Sequence, residues 1–273
     1  MLSYQKHSSP PILEPFIVCY YDLAYTHGET QIIQSPPSGY SAIIFNLGDP
    51  YAVRTAAEKD FQTLPDCILA GQQTKNYRIR LSGAVRQVGI VFKPTAIFTL
   101  FDFSMRTVVN KRISLDALLG DQAGVLYTSL KAAMDVAERL DILNRYFATR
   151  VDGYEKRVNV ADMAAELILK NTGNITVERL MEELCVSRRH LERKFLEKTG
   201  LTPKQYCRIV RMAPISNQVA HASRVDWQDM VFQGGFHDQN HFIKDFKALN
   251  DLSPARYLQE HEELTRLLEK KKE

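Results

Sequence analysis

The sequence predicts an α+β protein in which a β-rich N-terminal domain precedes an all-α C-terminal domain with two helix-turn-helix units. Short β-branched and aromatic runs, separated by Pro and Gly turns, extend to about residue 92, and helical periodicity follows. Residues 176–257 contain one pattern twice, at an offset of 51 positions. The proposed segments are a β-rich domain (1–121), a long helix with a linker (122–157), an all-α domain with both helix-turn-helix units (158–262) and a charged tail (263–273).

Six runs in the N-terminal domain are predicted strands, and residues 1–15, which contain three prolines, are expected to be irregular. Several short strands at this spacing are typical of a barrel or a sandwich. The Ser82-Gly83 pair is interpreted as a turn between the last two runs. The runs are Phe16–Tyr21, Gln31–Gln34, Tyr40–Leu47, Cys67–Ala70, Tyr77–Leu81 and Val85–Phe92.

The interior of a barrel can hold a small ligand, and five residues are candidates for an effector pocket. They are Tyr20, Tyr40, Phe45, Arg80 and Phe92. The alternative is that the aromatic side chains only fill the core. A metal site is not expected, because this region offers only His7 and His27, at a spacing unlike that of metal ligands. The chain has no glycine-rich phosphate loop and no serine-elbow motif, so neither a cofactor nor a catalytic residue is predicted.

Helical periodicity begins at Pro94, and the third predicted helix is the longest. The predicted helices are Pro94–Phe101, Ser114–Leu119 (capped by Ser114) and Gln122–Phe147. The apolar stripe of the last one has the spacing of a coiled-coil seam and comprises Leu126, Leu130, Ala133, Ala137, Leu140, Asn144 and Phe147. This stripe either pairs with its copy in a homodimer or packs against the β-rich domain. Residues Thr149–Arg157 are the predicted linker between the domains.

Each copy of the repeat has the pattern of a helix-turn-helix unit. In the first copy Val177–Leu184 is the first helix, Ser187 caps the second helix and Gly200 ends it. In the second copy Trp227–Gln233 is the first helix and Asp238 is the cap. The matched pairs are Ser187 with Asp238, Leu191 with Phe242, Phe195 with Phe246, Leu201 with Leu252, Thr202 with Ser253, Pro203 with Pro254 and Tyr206 with Tyr257.

The second helix of each copy is expected to expose a polar face. On Ser187–Thr199 the face comprises Arg188, Arg189, His190, Glu192, Arg193, Lys194 and Lys198, and on Asp238–Leu249 it comprises Gln239, Asn240, His241, Ile243, Lys244 and Lys247. Arg and Lys can donate to guanine, and Asn and Gln can form bidentate bonds with adenine. Such faces are usually only solvated, but their presence on both copies of a helix-turn-helix repeat favours nucleic-acid recognition.

A family resemblance rests on two segments. Residues 235–247 (GFHDQNHFIKDFK) with 252–257 (LSPARY) resemble the signature of AraC/XylS-family transcriptional regulators, and residues 180–206 resemble the upstream motif of that family. The resemblance implies a helical domain whose two recognition helices enter successive major-groove segments of one duplex. It also implies an N-terminal cupin-like barrel that binds a small effector. By position it assigns base readout to Arg189, Glu192, Arg193, Gln239, Asn240, Ile243 and Lys244.

The helix that joins the two copies departs from the family pattern. Pro214 lies inside it, and an internal proline either costs roughly 3 kcal/mol or kinks the helix, which would alter how rigidly the two copies are held. Thr202 and Gln205 are predicted to form a capping box at its start. Residues 158–262 contain 14 Lys and Arg against 14 Asp and Glu. Affinity for DNA should therefore depend on placed contacts more than on net charge.

Composition is that of an ordinary globular protein, with 45% hydrophobic and 25% charged residues and a net charge of +3. No apolar run approaches the length of a membrane span and the N-terminus lacks a signal sequence, so we expect a cytoplasmic protein without a membrane partner. The four cysteines lack metal or redox spacing, and all of them, Cys185 included, are expected to be buried thiols.

We therefore predict a sequence-specific transcription regulator of the AraC type that is not an enzyme. Its expected partners are double-stranded DNA, a small-molecule effector, RNA polymerase and a second copy of the chain. Two alternatives stay open. One is a protein-interaction module whose degenerate helix-turn-helix domain no longer reads DNA. The other is an enzyme with a helix-turn-helix appendage, which would need an activated cysteine.

Overall fold

The N-terminal residues form one eight-stranded antiparallel sheet in the computed structural model, which describes residues 2–151, 153–221 and 225–260. The strands are β1 (Leu2–His7), β2 (Ile17–Ser35), β3 (Ser41–Asn46), β4 (Ala52–Thr55), β5 (Gln62–Thr63), β6 (Cys67–Ala70), β7 (Tyr77–Phe92) and β8 (Arg112–Ser114). Their order is β1-β2-β7-β3-β6-β8, with β4 between β7 and β5. This sheet confirms the β-rich N-terminal domain and the α+β class.

Two long strands form the centre of this sheet. β2 and β7 pair along nearly their whole lengths, and each joins two runs that were predicted as separate strands. The predicted turn at Ser82-Gly83 is wrong, because both residues belong to β7, which continues without a turn. Gly83 adopts a φ of +76° there, and the register shifts between His27 and Gln31 on β2. The irregularity is thus absorbed as a bulge, which glycine accommodates.

The N-terminal segment was expected to be irregular, and this expectation is also wrong. Residues 2–7 form β1, which pairs with β2 in the register Leu2 opposite Tyr25 to His7 opposite Tyr20. Strands β4, β5 and β8 were not predicted either. Each has only two to four residues, too few to show the alternation that identifies a strand in a sequence.

Four α-helices come after β7 in the chain, and β8 lies between the first two: α1 (Ala96–Phe101), α2 (Asp116–Leu119), α3 (Gln122–Ala132) and α4 (Val136–Ala148). The single long helix predicted over Gln122–Phe147 is wrong. The chain leaves the helix at Ala133, which is extended at φ −62° and ψ 133°, and Asp135 then caps α4 by accepting from the Glu138 backbone N–H. The cap of the short helix is also not Ser114, which belongs to β8.

The apolar stripe of α3 and α4 packs within its own chain. Leu126, Leu130 and Phe147 of the predicted stripe are buried in one core with residues of the sheet. Leu143, which the predicted stripe did not include, is buried with them, whereas Ala137 is exposed. The ring of Phe147 contacts that of Phe92 on β7 with 5.4 Å between centroids. Of the two interpretations of the seam, packing against the β-rich domain is therefore the one that the structure supports.

The C-terminal domain is helical: α5 (Val160–Lys170), α6 (Val177–Leu184), α7 (Arg188–Thr199), α8 (Pro203–His221), α9 (Trp227–Gln233), α10 (Gln239–Asn250) and a helical segment at 254–260. The two copies bury equivalent framework residues. The ring centroids of Phe195 and Tyr206 lie 5.5 Å apart, and those of Phe246 and Tyr257 lie 5.3 Å apart. All four side chains are fully buried in one core. This confirms the duplicated unit.

Helix α8 joins the copies and continues through Pro214. Pro214 is exposed, while Met212 and Ile215 beside it are buried in the core that both copies share. Packing on this face offsets the lost backbone hydrogen bond, so the proline does not interrupt the helix. The capping box is confirmed, because the Thr202 N–H donates to Gln205 Oε1 at 3.0 Å and the Gln205 N–H donates to Thr202 Oγ1 at 3.3 Å.

Replacing Thr202 with alanine removes the side-chain acceptor at the start of α8. We expect the free energy of unfolding, measured by urea denaturation, to fall by about 1 kcal/mol. Thr128→Ala is the control, because that exposed hydroxyl on α3 donates only to the Gly124 carbonyl of its own helix. Equal losses in the two variants would show that the box does not stabilise α8.

Candidate nucleic-acid interface

Helix α7 presents its N-terminal half to solvent. Ser187 caps it by accepting from the His190 N–H at 3.4 Å, and Leu191 and Phe195 anchor it in the core. Gly200 ends it in the left-handed conformation, at φ +79°. The cap and the end of the helix are those predicted. Arg188, Arg189, His190 and Arg193 are exposed and Glu192 is half-buried.

The arginines of α7 differ in their partners. Arg188 is bound to acidic side chains, with Glu192 at 3.0 Å and Glu178 of α6 at 3.7 Å. The hydrogen bond to Glu192 raises the pKa of Arg188, so this guanidinium is firmly charged and already engaged. Arg189 and Arg193 have no ion pair with any other described residue. Their guanidinium groups are therefore free to donate to a ligand of the exposed face.

Helix α10 presents a corresponding surface in the second copy. Asp238 caps it by accepting from the His241 N–H at 2.7 Å, and this bond holds the pKa of the Asp238 carboxyl below its usual value. Gln239, Asn240 and Lys244 on the first turns are exposed. Ile243 is half-buried and packs against the core, so its side chain contributes less to this surface than the other three.

A buried carboxylate attaches α10 to α8. Asp245 pairs with Arg208 at 3.1 Å and with Arg211 at 3.2 Å, and the side chain of Asp245 is only 10% exposed. His241 Nε2 lies 3.6 Å from the same carboxylate. The sequence interpretation missed this network. The sequence feature that could have indicated it is Asp245 itself, an acidic residue at an inner position of the apolar stripe of α10.

Lys198 is not part of the exposed face of α7, contrary to the prediction. Its side chain is fully buried, and its ammonium group donates to Asp162 Oδ2 at 2.5 Å, to the Arg157 carbonyl at 2.6 Å and to Thr99 Oγ1 at 3.1 Å. Burial nevertheless lowers the pKa of Lys198. Since Thr99 belongs to α1 and Asp162 to α5, this one group joins both domains at the C-terminal end of α7.

The C-terminal end of α10 also contacts the N-terminal domain. The Asn76 N–H donates to the Leu249 carbonyl at 2.7 Å, and Lys75 pairs with Asp251 at 3.3 Å. Gln34 on β2 donates to Glu260 at 2.8 Å. Helices α7 and α10 therefore each have an exposed N-terminal half and a C-terminal end attached to the β-rich domain.

The predicted effector-pocket residues are not brought together in one pocket. Tyr20, Phe45 and Phe92 are fully buried in the core of the N-terminal domain, which is the space-filling alternative. Tyr40 lines a separate cavity of about 340 Å³ whose wall includes Leu169 of α5. Arg80 lies elsewhere, with its guanidinium carbon 4.7 Å from the centre of the Phe61 ring.

The cysteines are unpaired thiols. Burial raises the pKa of the Cys207 thiol to about 11 and that of Cys67 to about 12. Cys185 is exposed, contrary to the prediction, because it occupies the left-handed position that ends α6, at φ +52°. Within the described ranges no group of three or more His, Cys, Asp or Glu side chains could hold a metal ion. None of the helices in these ranges combines the length and apolar character needed to cross a bilayer.

Two protein families match this chain. Residues 180–260 match a family described as a helix-turn-helix domain, and residues 5–114 match one described as a domain of unknown function, DUF6597. The HTH-type transcriptional activator RhaS of Klebsiella pneumoniae (strain 342) is 34% identical over 77 residues, which are 28% of this chain and 27% of the relative. RhaS of Escherichia coli O1:K1 is 31% identical over the same length. The chain thus spans about a quarter of the length of these relatives.

Two solved structures have a partial similarity to this chain. ToxT from Vibrio cholerae has a TM-score of 0.46 at 13% identity, covering 94% of this chain and 98% of ToxT. The AraC-like transcriptional activator CuxR has a TM-score of 0.30 at 14% identity, covering 80% of this chain and 96% of CuxR.

Proposed function

We propose that the chain is a sequence-specific DNA-binding transcription regulator of the AraC/XylS family, which its C-terminal domain resembles. The observation that carries the proposal is the pair of recognition helices. Each is capped, anchored by two aromatic or aliphatic residues in one shared core, and exposed at its N-terminal half. In helix-turn-helix proteins this half contacts the base edges.

The two helices offer different chemistry to DNA. On α7 the exposed guanidinium groups of Arg189 and Arg193 suit guanine, which presents two acceptors in the major groove. On α10 the exposed amides of Gln239 and Asn240 suit adenine, and Lys244 suits guanine or phosphate. We assign supporting roles to Arg188, His190, Glu192 and Ile243, because Arg188 and Glu192 bind each other and Ile243 packs inward.

The N-terminal domain is proposed to sense a small effector and to contribute to a homodimer. Both recognition helices are attached to it at their C-terminal ends, so a ligand that changes these attachments would change the arrangement of the two units. Such a regulator would act by binding and would catalyse no reaction. It would work in the cytoplasm, where it binds DNA. If it is an activator, it would also contact RNA polymerase.

Arg193→Ala is expected to weaken binding to a selected DNA site by about 1–3 kcal/mol and to relax base preference at one position, because a bidentate contact to guanine is lost. The measurement is fluorescence anisotropy on the selected duplex and on single-base variants. Arg145→Ala is the control, since Arg145 is an exposed arginine on α4 and pairs with Asp141 at 3.2 Å. An equal loss on every duplex would instead make Arg193 a phosphate contact.

The salt dependence of binding separates this proposal from a protein-interaction module that no longer reads DNA. A reader of DNA loses affinity steeply as salt rises, because neutralised phosphates release counterions. Titrations of the selected duplex between 50 and 200 mM salt should therefore show roughly 10³-fold or greater weakening if several phosphates are contacted. Affinity that is independent of salt and equal for selected and random duplexes would support the module.

A further inference from the structure

A cleft separates the sheet from the C-terminal end of α10. One wall is formed by β4, by the residues that begin β7 and by the end of β2, and the other wall is the end of α10. The cleft has a volume of about 420 Å³, which is enough for a small-molecule ligand. The lining residues that matter here are Arg54, Lys75, Asn76, Arg78, Asn250 and Asp251.

Arginines concentrate on the sheet wall. Arg54 of β4 lies directly opposite Arg78 of β7 in the antiparallel register, so two guanidinium groups occupy facing positions. Like charges in such positions destabilise a sheet. Arg80, two positions further along β7, is on the same face, and the guanidinium carbons of Arg80 and Arg54 lie 4.7 and 5.0 Å from the centre of the Phe61 ring. The sheet itself does not explain this concentration of positive charge.

The carboxylates nearby do not neutralise all of it. Lys75 pairs with Asp251 at 3.3 Å, and Arg78 lies 3.7 Å from Glu260. Glu58 accepts hydrogen bonds from the backbone N–H and the hydroxyl of Thr55. Arg54 has no ion pair with any residue that the structure describes. Its guanidinium group is therefore available to an anion in the cleft.

Two buried carboxamide oxygens in the cleft residues also lack a partner. The Oδ1 atoms of Asn76 and Asn250 accept no hydrogen bond from the described part of the chain, and these residues are only 8% and 1% exposed. The amide nitrogens are engaged, since Asn76 donates to Gln34 at 2.8 Å and Asn250 donates to Ser216 at 3.0 Å. A buried oxygen without a donor is unfavourable, and a hydroxyl or ammonium group of a ligand would supply that donor.

We propose that this cleft binds a small organic anion that also carries hydroxyl or ammonium groups. The acidic group would bind Arg54 beside Arg78, and the donor groups would bind the oxygens of Asn76 and Asn250. The proposal rests on the effector-sensing part of the proposed function and gives the chemical class of the effector. A ligand held by both walls would stabilise the attachment of α10 to the sheet over an arrangement in which they separate.

The test is isothermal titration calorimetry of the full chain, at constant ionic strength and without DNA. The probes are D-gluconate, L-glutamate and glycerol 3-phosphate, with sorbitol as the uncharged reference. We expect binding of at least one anion and none of sorbitol. Arg54→Gln should weaken it at least tenfold, and Arg145→Gln should leave it unchanged. The gluconate and glutamate arms distinguish hydroxyl from ammonium donors, and the third arm distinguishes phosphate from carboxylate.

A second variant, Arg78→Gln, covers the case in which Arg54→Gln does not fold, which circular dichroism would show. The absence of binding by all three anions overturns the proposal, as does an equal loss in Arg145→Gln. Unchanged anion binding in Arg54→Gln also overturns the proposal. If that variant in addition binds DNA more weakly, the arginines contact DNA phosphates. Because the titration contains no DNA, failure of the DNA-reading function would not change its outcome.

Discussion

Lys198→Met is expected to lower the free energy of unfolding by about 3 kcal/mol. Removing one partner of a buried ion pair leaves the other charge uncompensated. Here the Asp162 carboxylate, 14% exposed, would keep as donors the backbone N–H of Asn159, at 2.7 Å, and the Thr99 hydroxyl, at 3.3 Å, but no cationic partner. The Thr99 hydroxyl and the Arg157 carbonyl would lose the same ammonium group. Urea denaturation of the full chain measures the loss.

Lys194→Met is the matched control for this prediction. Lys194 lies on the same helix and pairs with Glu197 at 3.2 Å, but their side chains are 29% and 38% exposed. Exposed pairs contribute about 0–1 kcal/mol. Similar losses in the two variants would mean that the buried ammonium group does not join the domains in the way described.

Asp245→Ala is expected to lower the free energy of unfolding by about 2–3 kcal/mol, because two arginines on α8 lose the carboxylate that neutralises them. The value is at the low end for a buried pair, since the side chains of Arg208 and Arg211 are 34% and 16% exposed. The loss should concentrate on the second unit, which α8 holds through this contact. Hydrogen exchange would then show faster opening of α10 than of α7.

Asp141→Ala provides the comparison for Asp245. Its ion pair with Arg145 on α4 has side chains 65% and 71% exposed, so its removal should cost less than about 0.5 kcal/mol. If Asp245→Ala were equally mild, or if α7 and α10 opened at equal rates, the carboxylate would not be what attaches the second recognition helix.

The duplicated unit could be predicted because its signals are local. Caps at Ser187 and Asp238, the glycine that ends α7 and the apolar stripe of each helix follow from short-range sequence spacing, and the structure confirms them. The long strands β2 and β7 could not be delimited in the same way, because their continuity comes from mutual pairing across a bulge.

Three charged residues that lie at inner helix positions were among those whose burial the sequence did not predict. Lys198 lies three residues after Phe195 and Asp245 three residues after Phe242, on the buried stripes of α7 and α10. Arg139 is buried on α4, where it donates to the carbonyls of Leu130 and Ala133 beside the break in the helix. Their residue type favours exposure, but their position among the apolar residues of each helix buries them.

The candidate effector site shows the limit of reasoning from residue type alone. Tyr20, Phe45 and Phe92 fill the core, whereas Arg80 belongs to the arginine cluster near the α10 cleft. The cleft residues Arg54 and Asn250 are almost 200 positions apart in the chain. Only the docking of the two domains brings them together, and no local pattern predicts that docking.

Selection of bound duplexes from a random DNA pool tests the central claim most directly, using the native chain, Arg193→Ala and Asn240→Ala. Two reading helices on one duplex should select a bipartite motif whose halves are about one helical turn, roughly 10 base pairs, apart. Arg193→Ala should relax base preference in one half only, and Asn240→Ala in the other half only. Selection of no motif, or relaxation of the same positions by both variants, would contradict a chain with two DNA-reading units.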